Sequence, residues 1–272
     1  LLSLNATANL RHKMNFNSDW LLQTGDIKGP QAVDYNDRDW QRVTLPYAWN
    51  EAEAFKVPIS QLSDTTMWYR KHFKIDDVDG KKFFVEFEGV RFGAEVYING
   101  QSLGLTENGI MASGWDLTPY IRQGENVIAV WVNSSWTYRE RATNSRYQWN
   151  DRNFNANYGG IPKNVWLHIT DKVYQTLPLY SNLKTTGVYV YGKNYDIPGK
   201  KVTVHAESQV RNDDNKARSF IYSCQILDKD GKEVLRLKGQ KYTLNPQETK
   251  TVAVEGLLDN AHFWSWGYGY LY

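Results

Sequence analysis

Apolar and polar residues alternate with period two along much of the 272-residue chain, and helical periodicity is nearly absent. In Ala94–Asn99, Ala94, Val96 and Ile98 share one side of the backbone, and Glu95, Tyr97 and Asn99 the other. Val202, Val204 and Ala206 alternate in the same way with Thr203, His205 and Glu207. Such runs predict half-buried strands. Val127–Val132 is apolar on both sides, as expected of a strand in the middle of a sandwich sheet. Turn signals at Asn99-Gly100, Gly124-Glu125 and Asp230-Gly231 separate the runs, the last predicting a hairpin. Many short strands divided by Gly, Asn and Asp predict an all-β protein, built as a sandwich or jelly roll.

The pattern breaks near Leu177–Asn182, where Pro178 interrupts it, and a domain boundary is expected there. Residues 1–180 read as a jelly-roll β-sandwich. Residues 181–272 read as a second sandwich, with roughly seven strand-sized pieces in Leu183–Gly256, the scale of an immunoglobulin-like fold. Pro46–Ser63 and Ser134–Tyr158 carry no strand pattern and are expected to be loops. The second is longer than connections in compact domains usually are, and such loops tend to carry function.

Composition narrows the function classes. With 32 basic against 30 acidic residues the net charge is +2, too balanced to point to nucleic acid or an anionic membrane. No run is long and apolar enough to span a bilayer. Eleven Trp and 18 Tyr raise the aromatic share to 14%, and rings in excess of what a core needs suit the flat faces of sugars. The single Cys224, in the alternating run FIYSCQIL, excludes an intrachain disulfide and is expected to be a buried small hydrophobe. His12, His72, His168, His205 and His262 lack metal-ligand spacing and read as strand-surface residues, so no metal or cofactor is expected. Gly159-Gly160 is not followed by Lys-Ser/Thr; the pair is expected to allow a close approach ahead of a strand at Val165–Ile169. Leu1–Leu10 has no basic region followed by a long apolar one, so a leader is absent from this stretch. A bacterial periplasmic or secreted location is nevertheless expected.

Four stretches carry a family resemblance: FFVEFEGVRFGAEVYINGQSLG from Phe83, WDLTPYIRQGENVIAVWVNSS from Trp115, GGIPKNVWL from Gly159 and the closing WSWGYGYLY from Trp264. Together they resemble the non-catalytic front of glycoside hydrolase family 2, which contains β-galactosidases, β-glucuronidases and β-mannosidases. The resemblance implies a galactose-binding-like jelly roll followed by an immunoglobulin-like sandwich, with WSWGYGYLY at the handover to a catalytic barrel missing from this chain. It also implies a longer parent that cleaves a terminal β-glycosidic bond with retention, through a glycosyl-enzyme on a barrel Glu. β-Galactosidase is the first expectation for that parent. The stretch as it stands is expected to be inactive, its partners being the barrel of the same polypeptide and the sugar.

No catalytic residue is nominated. Asn50-Glu51 matches the family's barrel pair of Asn and general-acid Glu, but it precedes the first family-like strands and is read as coincidental. DTTMWYRKHF, from Asp64, resembles the segment whose leading Asp or Asn reaches the sugar subsite in galactosidase-type members, although Thr65-Thr66-Met67 replaces the usual Pro-Thr-Gly. The competing expectation for Asp64 is an Asx turn before the strand. Ahead of GGIPKNVWL, the resemblance places sugar-binding acidic or amide residues near Asp151, Asn153 and Asn155. Their carboxylate and amide groups suit paired hydroxyls, and Trp149, Phe154 and Tyr158 offer flat apolar faces. Arg139, Arg141, Arg146 and Arg152 make this loop locally basic, which would draw a uronate or, more simply, face solvent or bond the barrel. The rival reading from another class is a free-standing carbohydrate-binding module or lectin, and a third is a structural or adhesive two-sandwich protein.

Overall fold

The computed structural model describes residues 11–109, 111–146, 157–178 and 182–272. It is almost wholly β and divides into two compact units, one running through Asp171 and taking in 182–183 as well, the other made of the remaining described residues from Lys172 onward. The first contains β1 (His12–Asn15), β2 (Trp20–Thr24), β3 (Gln41–Val43), β4 (Tyr47–Ala48), β5 (Thr66–Ile75) and β6 (Lys81–Phe87). These are followed by β7 (Gly93–Ile98), β8 (Gln101–Thr106), β9 (Ser113–Asp116), β10 (Gly124–Asn133), β11 (Gly160–Ile161) and β12 (Val165–Asp171). The second contains β13 (Val173–Gln175), β14 (Val188–Asp196), β15 (Lys201–Asn212), β16 (Arg218–Leu227), β17 (Glu233–Leu244) and β18 (Thr249–Asp259).

In the first unit a four-stranded sheet, β1-β12-β6-β9, faces a six-stranded sheet, β3-β2-β5-β10-β7-β8. The alternation of β7 works as predicted: Ala94, Val96 and Ile98 are fully buried between the sheets, and the residues between them are only partly covered. Trp20, Met67, Tyr69, Phe83, Phe87, Ile128 and Val130 fill the same core. Asn99 and Gly100, both at positive φ, make the tight turn from β7 to β8, a conformation in which Asn and Gly are the least strained residues.

β10 pairs with β5 on one side and β7 on the other, and its outward Val127 and Ala129 are also buried. Buried too are the outward Trp68 and Arg70 of β5. Residues 27–37 are tied over this second face. The Trp68 indole donates to the Ile27 carbonyl at 3.1 Å. Arg70 Nη1 donates to the carbonyls of Pro30 and, at 2.9 Å, Ala32, while its Nε donates to Asp37 Oδ2 at 2.7 Å. His72 Nε2 lies 2.7 Å from the same oxygen. Burial pushes the Asp37 carboxyl up, but the Arg70 and His72 contacts outweigh it and hold the group below the ordinary 3.8.

The second unit is also a β-sandwich, with β15 central in one sheet: β18 lies along one edge, and β14 and β13 share the other. The facing sheet is the hairpin β16-β17, closed by the predicted turn at Asp228–Lys232. Val202, Val204, Ala206, Val210, Leu237, Leu244, Val252 and Val254 form its core. Asn212 is buried among them, donating to the carbonyls of Lys216, Leu244 and Asn245 at 3.0 Å each.

Some expectations shift. Residues 188–259 form five strands rather than about seven, because alternation runs on for 9–12 residues at a time. Bulges at Lys193/Asp196, Ile221/Ser223 and Ile226/Leu227 absorb the irregularities that read as breaks. The units divide earlier than Pro178, because Val173–Gln175 already pairs with β15. Cys224 is half-buried rather than buried, with burial still raising its thiol pKa. His168 is not a surface residue: its side chain is buried and Nε2 lies 2.7 Å from Glu86 Oε2. That contact lowers the Glu86 pKa against the upward pull of burial.

Candidate functional site

At one end of the first sandwich the long connections are fastened by side chains rather than by a strand ladder. Asp64, just before β5, is half-buried, and its Oδ2 accepts the Trp136 backbone N–H at 2.6 Å and the Ser135 hydroxyl at 3.2 Å. Ser134 donates its backbone N–H and its hydroxyl to the Thr65 carbonyl, at 3.1 and 2.9 Å. The buried Trp136 indole reaches the Leu62 carbonyl at 3.1 Å. The segment after β10 is thereby clamped to the segment before β5, and Asp64 Oδ1 makes no hydrogen bond among the described residues.

Asn50 and Asn157 make a second clamp. Asn50 is buried, and its Nδ2 donates to the carbonyls of Ser63 at 2.9 Å and Asn157 at 2.7 Å, while Oδ1 accepts the Gly159 N–H at 3.2 Å. Asn157 Nδ2 donates to the Ser134 carbonyl at 2.6 Å. Asn50 is therefore structural, and Glu51 beside it is an exposed residue opening the short helix α1 (Glu51–Ala54). Pro46–Ser63 is thus less of a loop than its sequence suggests: it holds β4 and α1, and Glu53 accepts the Ser63 N–H and hydroxyl.

The glycine pair makes the predicted close approach. A Cβ on Gly159 would lie 2.5 Å from Ser134 Oγ and 2.7 Å from the Trp49 indole nitrogen. One on Gly160, at φ +102°, would lie 2.2 Å from the Tyr69 hydroxyl. Burial pushes the Tyr69 phenol far up. The tight fit lets β11 pair with β4, Gly160 opposite Ala48 and Ile161 opposite Tyr47.

Among the sequence-predicted residues, Asp64 sits in the first clamp, and no Asx turn forms before the strand. Tyr158 is partly exposed and lines a pocket with Tyr47, Glu51 and Phe55. Trp149, Asp151, Asn153 and Asn155 lie outside the described residues. Of the loop arginines, Arg141 is bound back to the sandwich: it pairs with Glu95 at 3.1 Å and lies over the Trp131 ring. Arg139 donates to the Asn144 carbonyl at 2.9 Å. Sequence reasoning missed Asn50, Asn157 and Ser135 as holders of this end. An Asn followed by an acidic helix start carries no mark of a clamp 107 residues long.

Two facing antiparallel sheets with loops clamped at one end define a β-sandwich. Residues 39–167 match the glycosyl hydrolase 2 galactose-binding domain-like family model. A β-glucuronidase of Formosa agariphila is 37% identical over 98% of this chain and 28% of its own length. The β-galactosidase BoGH2A of Bacteroides ovatus is 30% identical over 82% of this chain and 25% of its own. Among solved structures, a β-glucuronidase from glycoside hydrolase family 2 superposes with a TM-score of 0.86 at 34% identity, covering 95% of this chain and 28% of that one. The chain belongs to glycoside hydrolase family 2 and carries that family's N-terminal galactose-binding-like sandwich with the sandwich that follows it. It spans little more than a quarter of the length of these relatives.

Proposed function

We propose that this chain is the non-catalytic front of a retaining family 2 β-glycosidase, supporting a catalytic barrel and lending one edge to its sugar pocket. The observation that carries the reading is the Asp64 clamp. One carboxylate oxygen is spent on fixing the loop after β10, and the other remains to accept a hydroxyl hydrogen bond. A group that must present one acceptor to a sugar gains from being anchored by the other, because little rotamer freedom is then lost on binding. The substrate is a terminal β-linked sugar. A β-galactoside is the reading the sequence motifs support, and the relative matching 98% of the chain, named β-glucuronidase, lends equal support to a β-glucuronide.

The test is to express the full product of the source gene beside the 272-residue chain and assay both with aryl β-glucuronide and aryl β-galactoside. Turnover is expected only from the longer protein. In it, Asp64→Ala is expected to lower kcat/KM by about 10- to 100-fold, the cost of one hydrogen bond to a charged group. Asp64→Asn keeps the acceptor toward Trp136 and is expected to lose less. Turnover by the short chain that vanishes on changing Glu51, or no turnover by the long one, would sink the proposal.

A further inference from the structure

The pocket beside Tyr158 has a chemistry of its own. It holds about 330 Å³ and is lined by Tyr47, Glu51, Phe55, Tyr158, Pro46 and Pro162. That is near the lower end of small-ligand pockets, which run from ~300 to 1,000 Å³. Its walls are fixed from two sides. Tyr47 lies on β4 and pairs with Ile161 of β11, and the Trp49 N–H donates to the Gly159 carbonyl at 3.1 Å. Phe55 is 86% exposed and Tyr158 37%, so both offer aromatic surface to solvent beside the β4-β11 pair. The Glu51 carboxylate makes no hydrogen bond or ion pair with any described residue, whereas Glu53, two positions on, is taken up by Ser63.

Flat apolar rings next to an uncommitted carboxylate match one ligand chemistry well. A pyranose presents a C–H face that packs on an aromatic ring and hydroxyls that donate to a carboxylate. The same carboxylate repels a uronate, since like charges brought together without a counter-ion discriminate against the acidic sugar. We propose that this pocket is a binding site for a neutral pyranose, with Phe55 and Tyr158 as stacking faces and Glu51 as the hydroxyl acceptor and charge filter. The site goes beyond the enzyme reading and needs no residue from a barrel.

The experiment is a titration of the ¹⁵N-labelled 272-residue chain with methyl β-galactoside, lactose and methyl β-glucuronide, followed by amide shifts. Saturable shifts are expected at Tyr47, Glu51–Phe55 and Tyr158 with the two neutral sugars. Binding is expected to weaken by about tenfold or more in Phe55→Ala, the usual effect of removing an anchoring ring. That change lies at an exposed side chain, so an unaltered spectrum elsewhere shows that the fold is retained. The glucuronide is expected to bind more weakly than the neutral sugars, and Glu51→Gln to close most of that gap. The proposal is overturned if no sugar shifts these amides, if Phe55→Ala binds like the parent, or if the glucuronide binds as well as the galactoside. Hydrolysis by the longer protein stands or falls separately, because neither Phe55 nor Glu51 is assigned to it.

Discussion

Asp37→Asn is expected to destabilise the first sandwich by about 3–5 kcal/mol, the cost of stripping one partner from a buried ion pair. The Arg70 side chain has no exposed surface, and its Nε is bonded at 2.7 Å to Asp37 Oδ2. Its Nη1 is held by backbone carbonyls that carry no charge. A neutral amide at position 37 leaves the cation buried without a counter-charge. Urea unfolding followed by tryptophan fluorescence measures this unit selectively, because Trp20, Trp68, Trp115 and Trp136 are buried in it while Trp264 and Trp266 of the other unit are 70% and 98% exposed. The double change Asp37→Leu/Arg70→Met is expected to recover most of the loss, since an apolar pair of similar bulk often substitutes for a buried ion pair.

The same pair sets an acid limit. The Asp37 carboxyl is held below its ordinary 3.8, so the folded state binds a proton less readily than the unfolded chain. Its contribution is therefore complete above about pH 4 and is lost as pH falls through the lowered folded value. The wild type is expected to lose stability faster than Asp37→Asn below pH 4. Parallel acid-unfolding curves would contradict the assignment.

Gly160→Ala is the second large effect expected, about 2–5 kcal/mol from overpacking together with left-handed backbone strain. The added methyl would meet the Tyr69 hydroxyl at 2.2 Å, and Tyr69 is fully buried in the core. Gly25→Ala is the internal control. Its φ of +107° is similarly left-handed, but nothing lies within 4 Å of the added Cβ, so only backbone strain of about 1–2 kcal/mol applies. Equal losses at the two positions, in the same fluorescence assay, would show that the contact with Tyr69 does not matter.

The features legible in the sequence are the local ones. The alternation of Ala94, Val96 and Ile98, the Asn99-Gly100 turn and the hairpin at Asp230-Gly231 all depend on neighbours one to four residues away. The Gly159-Gly160 pair was readable because a double glycine ahead of a strand has few other physical uses. The pairings that organise the clamped end are long-range and carried by ordinary residue types. Arg70 alternates out of the core, and its burial depends on a segment 33 residues upstream that has no strand pattern. Asp64 reads as a turn former, yet its partners lie 71 and 72 residues away. His168 reads as a surface imidazole because Glu86, its partner across the β12-β6 ladder, is 82 residues distant. Phe55 gave no signal, since a single phenylalanine in a polar stretch is as easily a core residue as an exposed one.

The hairpin β16-β17 has a consequence for how this polypeptide behaves in a tube. β16 pairs only with β17 among the described strands, which leaves its other margin as a row of unmatched amides and carbonyls. Alongside lies a trough of about 570 Å³ whose lining includes Val190, Cys224, Ile226, Phe263, Trp264 and Tyr272. A sticky rim next to a greasy channel is a template for another extended segment, whichever molecule offers it. Concentrated solutions of the 272-residue chain are therefore expected to self-associate through this margin, and the sedimentation coefficient should rise with protein concentration. Ile226→Lys would place a charge in the trough and should keep the molecules apart.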